Sequence, residues 1–289
     1  MRVAVGVEYD GAGLLGWQSQ KDGPSVQAFL EEALGRVADH PVRVVGAGRT
    51  DAGVHATGQV AHFDTGAERS PRAWVLGANT ALPDGVSVRW ARPVGPDFHA
   101  RFSARARAYS YLVLNRDARP ALDGRRAWWV HRPLDAGRMH EAGACLVGEH
   151  DFSAFRAAEC QSKSPVRRVL GLRVRRAGDF LRLDVVANAF VHHMVRNIVG
   201  TLAAVGRGDR PVEWVEEVLD GRDRRLGGVT APPEGLYLVH VDYGRVLEVP
   251  RAMPPALPAE AADDWFIIAA SAAPERARAD SPRGQDGRE

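Results

Sequence analysis

The apolar pattern of this chain runs through one order of periods twice, and that repetition constrains the fold more than any single motif. Residues 2–8 alternate Val3, Val5 and Val7, the period-two pattern of a half-buried strand. Over residues 25–38, Val26, Phe29, Leu30, Ala33, Leu34 and Val37 fall on one helical face, with Ser25 as the N-cap candidate. Strands are predicted at about 42–47 and 58–64. A helix follows from Ser70-Pro71, a cap and first-turn pairing, to about Ala81, and a strand at 86–91 closes the unit. The order is β-α-β-β-α-β. The second half repeats it: a strand at 105–115, a helix at about 135–147, a hairpin of strands at 166–176 and 179–187 around Ala177-Gly178, a helix at about 190–206 and a last strand at Leu236–Val241. Two split βαβ units of this kind, residues 1–104 and 105–249, can set their sheets side by side and leave a cleft at the junction. Residues 116–134 and 148–164 read as long insertions, where function often resides. From about Pro250 to residue 289 proline, alanine and charge dominate, the composition of a disordered tail, with Trp265–Ile268 its one apolar island.

The stretch with the most chemistry is Gly46–Phe63, GAGRTDAGVHATGQVAHF, which joins two strands of the first half. Gly46, Gly48 and Gly53 permit positive φ or close approach of a ligand to the backbone. A turn of this kind can hold Asp51 out in a cleft, with Arg49 two positions before it. An arginine neighbour favours the ionised carboxylate, the form wanted in a nucleophile or base working without a metal. A glycine-rich hairpin with a solvated ion pair is the bland alternative, and the length of the motif argues against it.

Three familiar glycine-loop chemistries do not fit. A dinucleotide fingerprint needs a third glycine opening a helix, whereas Gln59–Asp64 alternates like a strand. A phosphate-cradling loop needs Gly-Lys-Ser/Thr, and the lysines are Lys21 and Lys163 alone. A zinc deaminase needs Cys-x-x-Cys, and the two cysteines are Cys145 and Cys160. Two cysteines without motif spacing give no disulfide framework. With no run of eighteen apolar residues and no signal-peptide core, a cytoplasmic protein without a membrane span is expected. The net charge of +2 does not announce a nucleic-acid binder. The arginines nevertheless cluster at 101–107, 125–126, 167–176 and 222–225, and arginine pairs bidentately with phosphate and stacks on bases. A GC-rich coding sequence also favours arginine over lysine, so only the clustering bears on RNA.

Five blocks in order, AGRTDAGVHATGQVAHF (47–63), FHARFSARARAYSY (98–111), GEHDFSAFRAAECQS (148–162), NAFVHHMVRNIVGTL (188–202) and EGLYLVHVDY (234–243), resemble the bacterial tRNA pseudouridine synthases of the A type over residues 1 to about 245. That resemblance implies an α+β fold in which two ferredoxin-like halves form one central, mostly antiparallel sheet with a catalytic cleft between them. It implies isomerisation of uridines 38 to 40 in the anticodon stem-loop of tRNA by a homodimer, with no cofactor and no metal.

Asp51 is then the catalytic carboxylate. Arg196, at the edge of the Val191, Val195, Ile198, Leu202 stripe, is its basic partner, with a surface arginine as the alternative. Tyr109 matches the family's active-site tyrosine, whose ring can stack on uracil, while Tyr111 reads as core. Arg49 is a candidate to fill the gap left by a flipped nucleotide, with a plain ion pair to Asp51 as the equal competitor. Leu236 and Tyr237 read as floor residues beneath the base or as strand core. His55 and Gln59 brace the loop. His192 and His193, about 100° apart on a helix, read as one cleft-facing and one packing residue that cannot readily share a metal. Arg101, Arg105, Arg107, Arg167 and Arg168 are the candidate RNA-binding residues. A non-catalytic RNA-binding module of the same fold and a nucleoside hydrolase are the competing functions.

Overall fold

The computed structural model describes residues 1–20, 23–160 and 162–250, so the expectations for the tail beyond Pro250, Trp265–Ile268 included, lie outside it. Among the described residues the chain forms β1 (Arg2–Tyr9), α1 (Val26–Ala38), β2 (Val45–Gly46), β3 (His55–Asp64), α2 (Pro71–Asn79), β4 (Val86–Val94) and β5 (Ala106–Asn115). It continues with β6 (Trp128–Val130), α3 (Ala136–Gly143), β7 (Gly148–Asp151), β8 (Val166–Ala177), β9 (Phe180–Ala187), α4 (Met194–Gly206), α5 (Trp214–Gly221) and β10 (Leu236–Asp242). The caps expected from sequence hold. Ser25 Oγ accepts from the Ala28 N–H at 3.3 Å and Ser70 Oγ from the Ala73 N–H at 3.2 Å.

The strands make one mixed sheet in the order β4-β1-β3-β10-β5-β9-β8-β7, with β2 added on β3 and β6 on β5. Pairing is antiparallel except at β3/β10 and β5/β6. The β3/β10 pair, with Tyr237 opposite His55 and Leu238 opposite Ala56, joins the early strands to the late ones at the middle of the sheet. Gly58 makes this approach possible, since a Cβ there would lie 2.1 Å from the Val239 carbonyl oxygen. All five helices share one core with a single face of the sheet, to which Val3, Val5, Val7, Tyr109, Tyr111, Leu236 and Leu238 contribute. The reverse face carries a smaller apolar cluster that includes Leu112, Leu114, Tyr237 and Val239.

Several boundaries differ from the periodicity. Residues 42–44 are not strand: the Val44 N–H donates to Glu31 Oε1 at 3.0 Å and its carbonyl accepts from Gln27 Nε2 at 3.1 Å, so side chains of α1 take the place of a strand partner. The insertions contain β6 and β7, too short to show alternation. α5 is an eight-residue helix burying only Val215, Val218 and Leu219, too brief for a periodic signal. α4 begins at Met194 instead of 190, for a reason that lies in the site.

Candidate active site

Asp51 lies in the loop between β2 and β3, and the loop is held from every side. Gly53 takes φ +78°, a left-handed conformation that strains any side chain, and the Val54 N–H closes the turn on the Asp51 carbonyl at 3.2 Å. Gln59 Nε2 donates to the Gly48 carbonyl at 2.7 Å while the Gly48 N–H donates to Gln59 Oε1 at 3.4 Å. Thr50 Oγ1 pairs with Tyr9 Oη at 2.8 Å, and the Trp17 N–H donates to the Thr50 carbonyl at 3.0 Å. His55 accepts from the Gly11 N–H at Nδ1, 3.0 Å, and its Nε2 bonds the Glu234 carbonyl at 3.1 Å, pinning the end of the loop to the approach of β10. A carboxylate presented on a frame this constrained needs little reorganisation when a substrate arrives.

The sequence separates Asp51 from Arg196 by most of the chain; the fold brings them together, with Arg196 Nη1 3.4 Å from Asp51 Oδ2. Arg196 is itself aimed, because its Nε donates to the Ala231 carbonyl at 2.7 Å. Its side chain is 13% exposed against 31% for Asp51, so the guanidinium forms the inner wall and the carboxylate faces the opening.

The histidine pair behaves differently from the helix-wheel expectation. His192 Nε2 lies 3.3 Å from Asp51 Oδ1 and His193 Nε2 lies 3.2 Å from Oδ2, so both imidazoles face the carboxylate. The angular argument fails because neither residue is inside a helix. His193 is the N-cap of α4 at φ +61°, left-handed and uncommon for a residue with a side chain, and this kink starts the helix at 194. Asp51, His192 and His193 offer three ligating atoms within 4.8 Å of one another, a spacing able to hold a metal ion. Burial lowers the His193 pKa from 6.5, against the pull of Asp51, so the ring is neutral at neutral pH.

Tyr109 is buried, 8% exposed, with its ring edge-on to Phe190 at 5.0 Å. Its hydroxyl is the nearest group to a Cβ built on Gly48, at 3.6 Å, which places it against the Asp51 loop. Burial and the Asp51 charge push its pKa up to about 12 despite Arg107 nearby, so the phenol stays protonated at neutral pH. Leu238 is the cross-strand partner of Tyr109 and Leu236 that of Tyr111, so Leu236 shares the Tyr109 face. Tyr237 points to the reverse face, stacks on His55 at 4.7 Å and donates to the Arg126 carbonyl, so it is not a floor residue of the cleft. Tyr111 is core, donating to the Pro232 carbonyl at 2.7 Å.

The basic candidates divide. Arg49 is exposed, and among the described residues the basic side chains within 4.0 Å of the Asp51 carboxylate are Arg196, His192 and His193, so the Arg49–Asp51 pair is absent. Arg101 and Arg168 are exposed. Arg105 is half-buried with Nε 3.9 Å from Asp242 Oδ2, and Arg167 donates to Ser162 Oγ and the Ser164 and Val166 carbonyls. Arg107 corrects the surface expectation. It is 8% exposed, and its guanidinium donates to the carbonyls of Ala47 (2.9 Å from Nη2), Asn188 (3.3 Å) and Arg101 (2.7 Å). It therefore ties the Asp51 loop to the segments before α4 and β5. Phe190 and Thr50, which lie in the blocks, and Tyr9, which lies in none of them, also serve the site and carried no sequence signal of their own.

Burial also lowers the pKa of His55, His240 and His62, the last to about 4. The unfolded chain takes up these protons near pH 6.5 and the folded chain only at lower pH. The stability they contribute is whole above 6.5 and is lost as pH falls through the folded values. Melting temperature is expected to be level from pH 8 to 7 and to fall steadily from pH 6.5 to 4; a flat profile down to pH 5 would contradict the burial of these rings.

The family model for tRNA pseudouridine synthase matches residues 6–103 and 142–244, segments that carry Asp51 and Arg196 respectively. The tRNA pseudouridine synthase A of Nitrosococcus oceani is 58% identical over 255 residues, covering 88% of this chain and 98% of that protein. That of Methylococcus capsulatus is 59% identical over 262 residues, 90% and 97% of the two chains, and that of Pseudoalteromonas atlantica 56% over 251 residues, 87% and 95%. With both walls of the cleft inside the matched segments and relatives aligned over nearly their whole length, the chain belongs to the tRNA pseudouridine synthase family.

Proposed function

We propose that this tRNA pseudouridine synthase isomerises uridines 38 to 40 of the anticodon stem-loop, with the Asp51 carboxylate as nucleophile or base and without metal or cofactor. The observation that carries this reading is the carboxylate held in the cleft 3.4 Å from an inward-aimed guanidinium. The reaction breaks the C1′–N1 bond, turns the uracil and joins C1′ to C5; the C5 proton is lost and N1 gains one, so nothing is consumed. Addition of Asp51 to the base, its attack on the sugar and its removal of the C2′ proton all use the same oxygens. Arg196, at the inner wall, orients the carboxylate and offsets its charge.

Tyr109 supplies a wall for the uracil, Leu236 packs on the same face, and exposed Arg49 fills the stack left by the flipped nucleotide. Arg101, Arg105, Arg167 and Arg168 contact RNA phosphates. The strand orders β4-β1-β3-β2 and β10-β5-β9-β8 support two ferredoxin-like halves, 1–104 and 105–249, whose junction is the cleft. A homodimer sharing one tRNA and a cytoplasmic location complete the reading. Among the described residues no helix is long and apolar enough to cross a membrane.

Purified protein and a uridine-labelled tRNA transcript, without added metal or cofactor, are expected to yield pseudouridine at positions 38 to 40. Binding without product would favour an RNA-binding module, and released uracil a hydrolase. Tyr109→Ala is expected to lower kcat/KM by about 10- to 100-fold through lost stacking, whereas Tyr109→Phe retains most of it. Equal loss in both variants would make the hydroxyl, not the ring, the working part.

A further inference from the structure

Phe102 is 65% exposed, in a turn that is anything but loose. The Arg101 and Phe102 N–H groups both donate to His99 Nδ1 at 3.2 Å, the His99 N–H donates to Ser103 Oγ at 3.0 Å, and the Ser103 N–H returns to the His99 carbonyl at 2.8 Å. The turn is anchored beneath by the Ala100 N–H on His62 Nδ1 at 3.1 Å and by Tyr243 Oη on the Ala100 carbonyl at 2.7 Å. The His99 ring stacks on Phe102 at 4.3 Å with an interplanar angle of 29°, and the Arg101 guanidinium carbon lies 5.7 Å from the Phe102 ring centre.

Single exposed apolar side chains are ordinary. A rigidly presented aromatic with an arginine at its ring is less so, and its position is informative. Arg107 Nη2 donates both to the Arg101 carbonyl and to that of Ala47, four residues before Asp51, so this turn and the catalytic loop are fixed to one guanidinium. An aromatic face tolerates any base, and an adjacent arginine attracts phosphate; together they suit unpaired nucleic acid rather than an apolar protein surface.

We propose that Phe102, with Arg101 beside it, is a stacking site for an unpaired nucleobase of the tRNA outside the catalytic cleft. The inference rests on the tRNA-modifying reading above and adds a recognition element to it. A ring fixed before RNA arrives loses little rotamer freedom on binding. Its contribution falls on capture of the RNA, not on the isomerisation.

The test compares the full-length protein with Phe102→Ala, Phe102→Leu and Phe102→Trp, by fluorescence anisotropy on a tRNA transcript and by KM and kcat for pseudouridine formation. Phe102→Ala and Phe102→Leu are expected to weaken binding and raise KM about 10-fold, with kcat within about 3-fold, and Phe102→Trp to restore both. Leucine keeps the apolar bulk and loses the π face, so full activity in Phe102→Leu would overturn stacking. Wild-type affinity in Phe102→Ala would overturn the site, as would a halved mass by light scattering in that variant, which would make Phe102 a contact between copies. Affinity is read without turnover, so a wild type that binds but forms no pseudouridine would sink the catalytic reading and not this one.

Discussion

Asp51→Asn is expected to lower kcat for pseudouridine formation on the order of 10⁴-fold, about 5 kcal/mol of barrier, while tRNA affinity stays near wild type. The substitution is nearly isosteric, so the hydrogen bonds of the loop backbone to Gln59, Trp17 and Leu14 have no reason to change. What disappears is the charge that faces Arg196, His192 and His193. An amide neither adds to a base or sugar nor accepts a proton near neutral pH, so each route open to Asp51 closes together. Because the carboxylate is about a third exposed, losing its ion pair with Arg196 is expected to move stability by no more than about 1 kcal/mol. Asp51→Glu is the companion variant: charge is kept and the oxygens are displaced by one methylene, and a loss of comparable size would show that placement is what the loop supplies. Pseudouridine formation by Asp51→Asn at more than a few per cent of the wild-type rate would remove Asp51 from the chemistry.

Arg107→Ala is expected to cost about 3 kcal/mol of stability and about 10²-fold in kcat, although Arg107 need never touch RNA. Deleting the guanidinium strands the Ala47, Asn188 and Arg101 carbonyls, which it now serves from a position 8% exposed. The Asp51 loop is then free to shift against α4, and displacements of about 1 Å suffice to produce losses of this size. Arg107→Lys should recover only part, since a single ammonium cannot reproduce a fork spanning three acceptors. The salt dependence of tRNA binding separates this role from a phosphate contact. A phosphate-binding arginine lowers the slope of log affinity against log salt by about one when removed, whereas a buried brace leaves it unchanged. An unchanged kcat, measured well below the lowered melting temperature, would contradict the bracing role.

These two residues mark where reading the chain succeeds and where it stops. The turn that presents Asp51 was legible because it is local: glycines between two strands hold one acid out whatever the rest of the fold does. The helices capped by Ser25 and Ser70 were legible for the same reason, as were the alternating strands β1, β5, β8 and β9. Arg107 sits in an arginine-rich run that reads as surface, and only the packing of β5 against the Asp51 loop and the segment before α4 decides that it is buried. Val191 and Val195 continue the apolar stripe, so periodicity puts His192 and His193 on a helix; the left-handed turn at His193, which directs both rings to Asp51, leaves no trace in it. The strand expected at 42–47 shrank to β2 because Gln27 and Glu31 of α1 took its hydrogen bonds.

Sequence alone determined most of the order of elements and the glycine-rich turn that carries Asp51, because turn chemistry, capping and apolar period act over a few residues. Tertiary structure decided how closely Arg196, which the resemblance already pairs with Asp51, approaches that carboxylate, and that both histidines join it. The parallel meeting of β3 and β10, close enough to require Gly58, brings Arg196 and both histidines from the far half onto the Asp51 loop, and contacts between residues 145 positions apart depend on packing that no local pattern encodes.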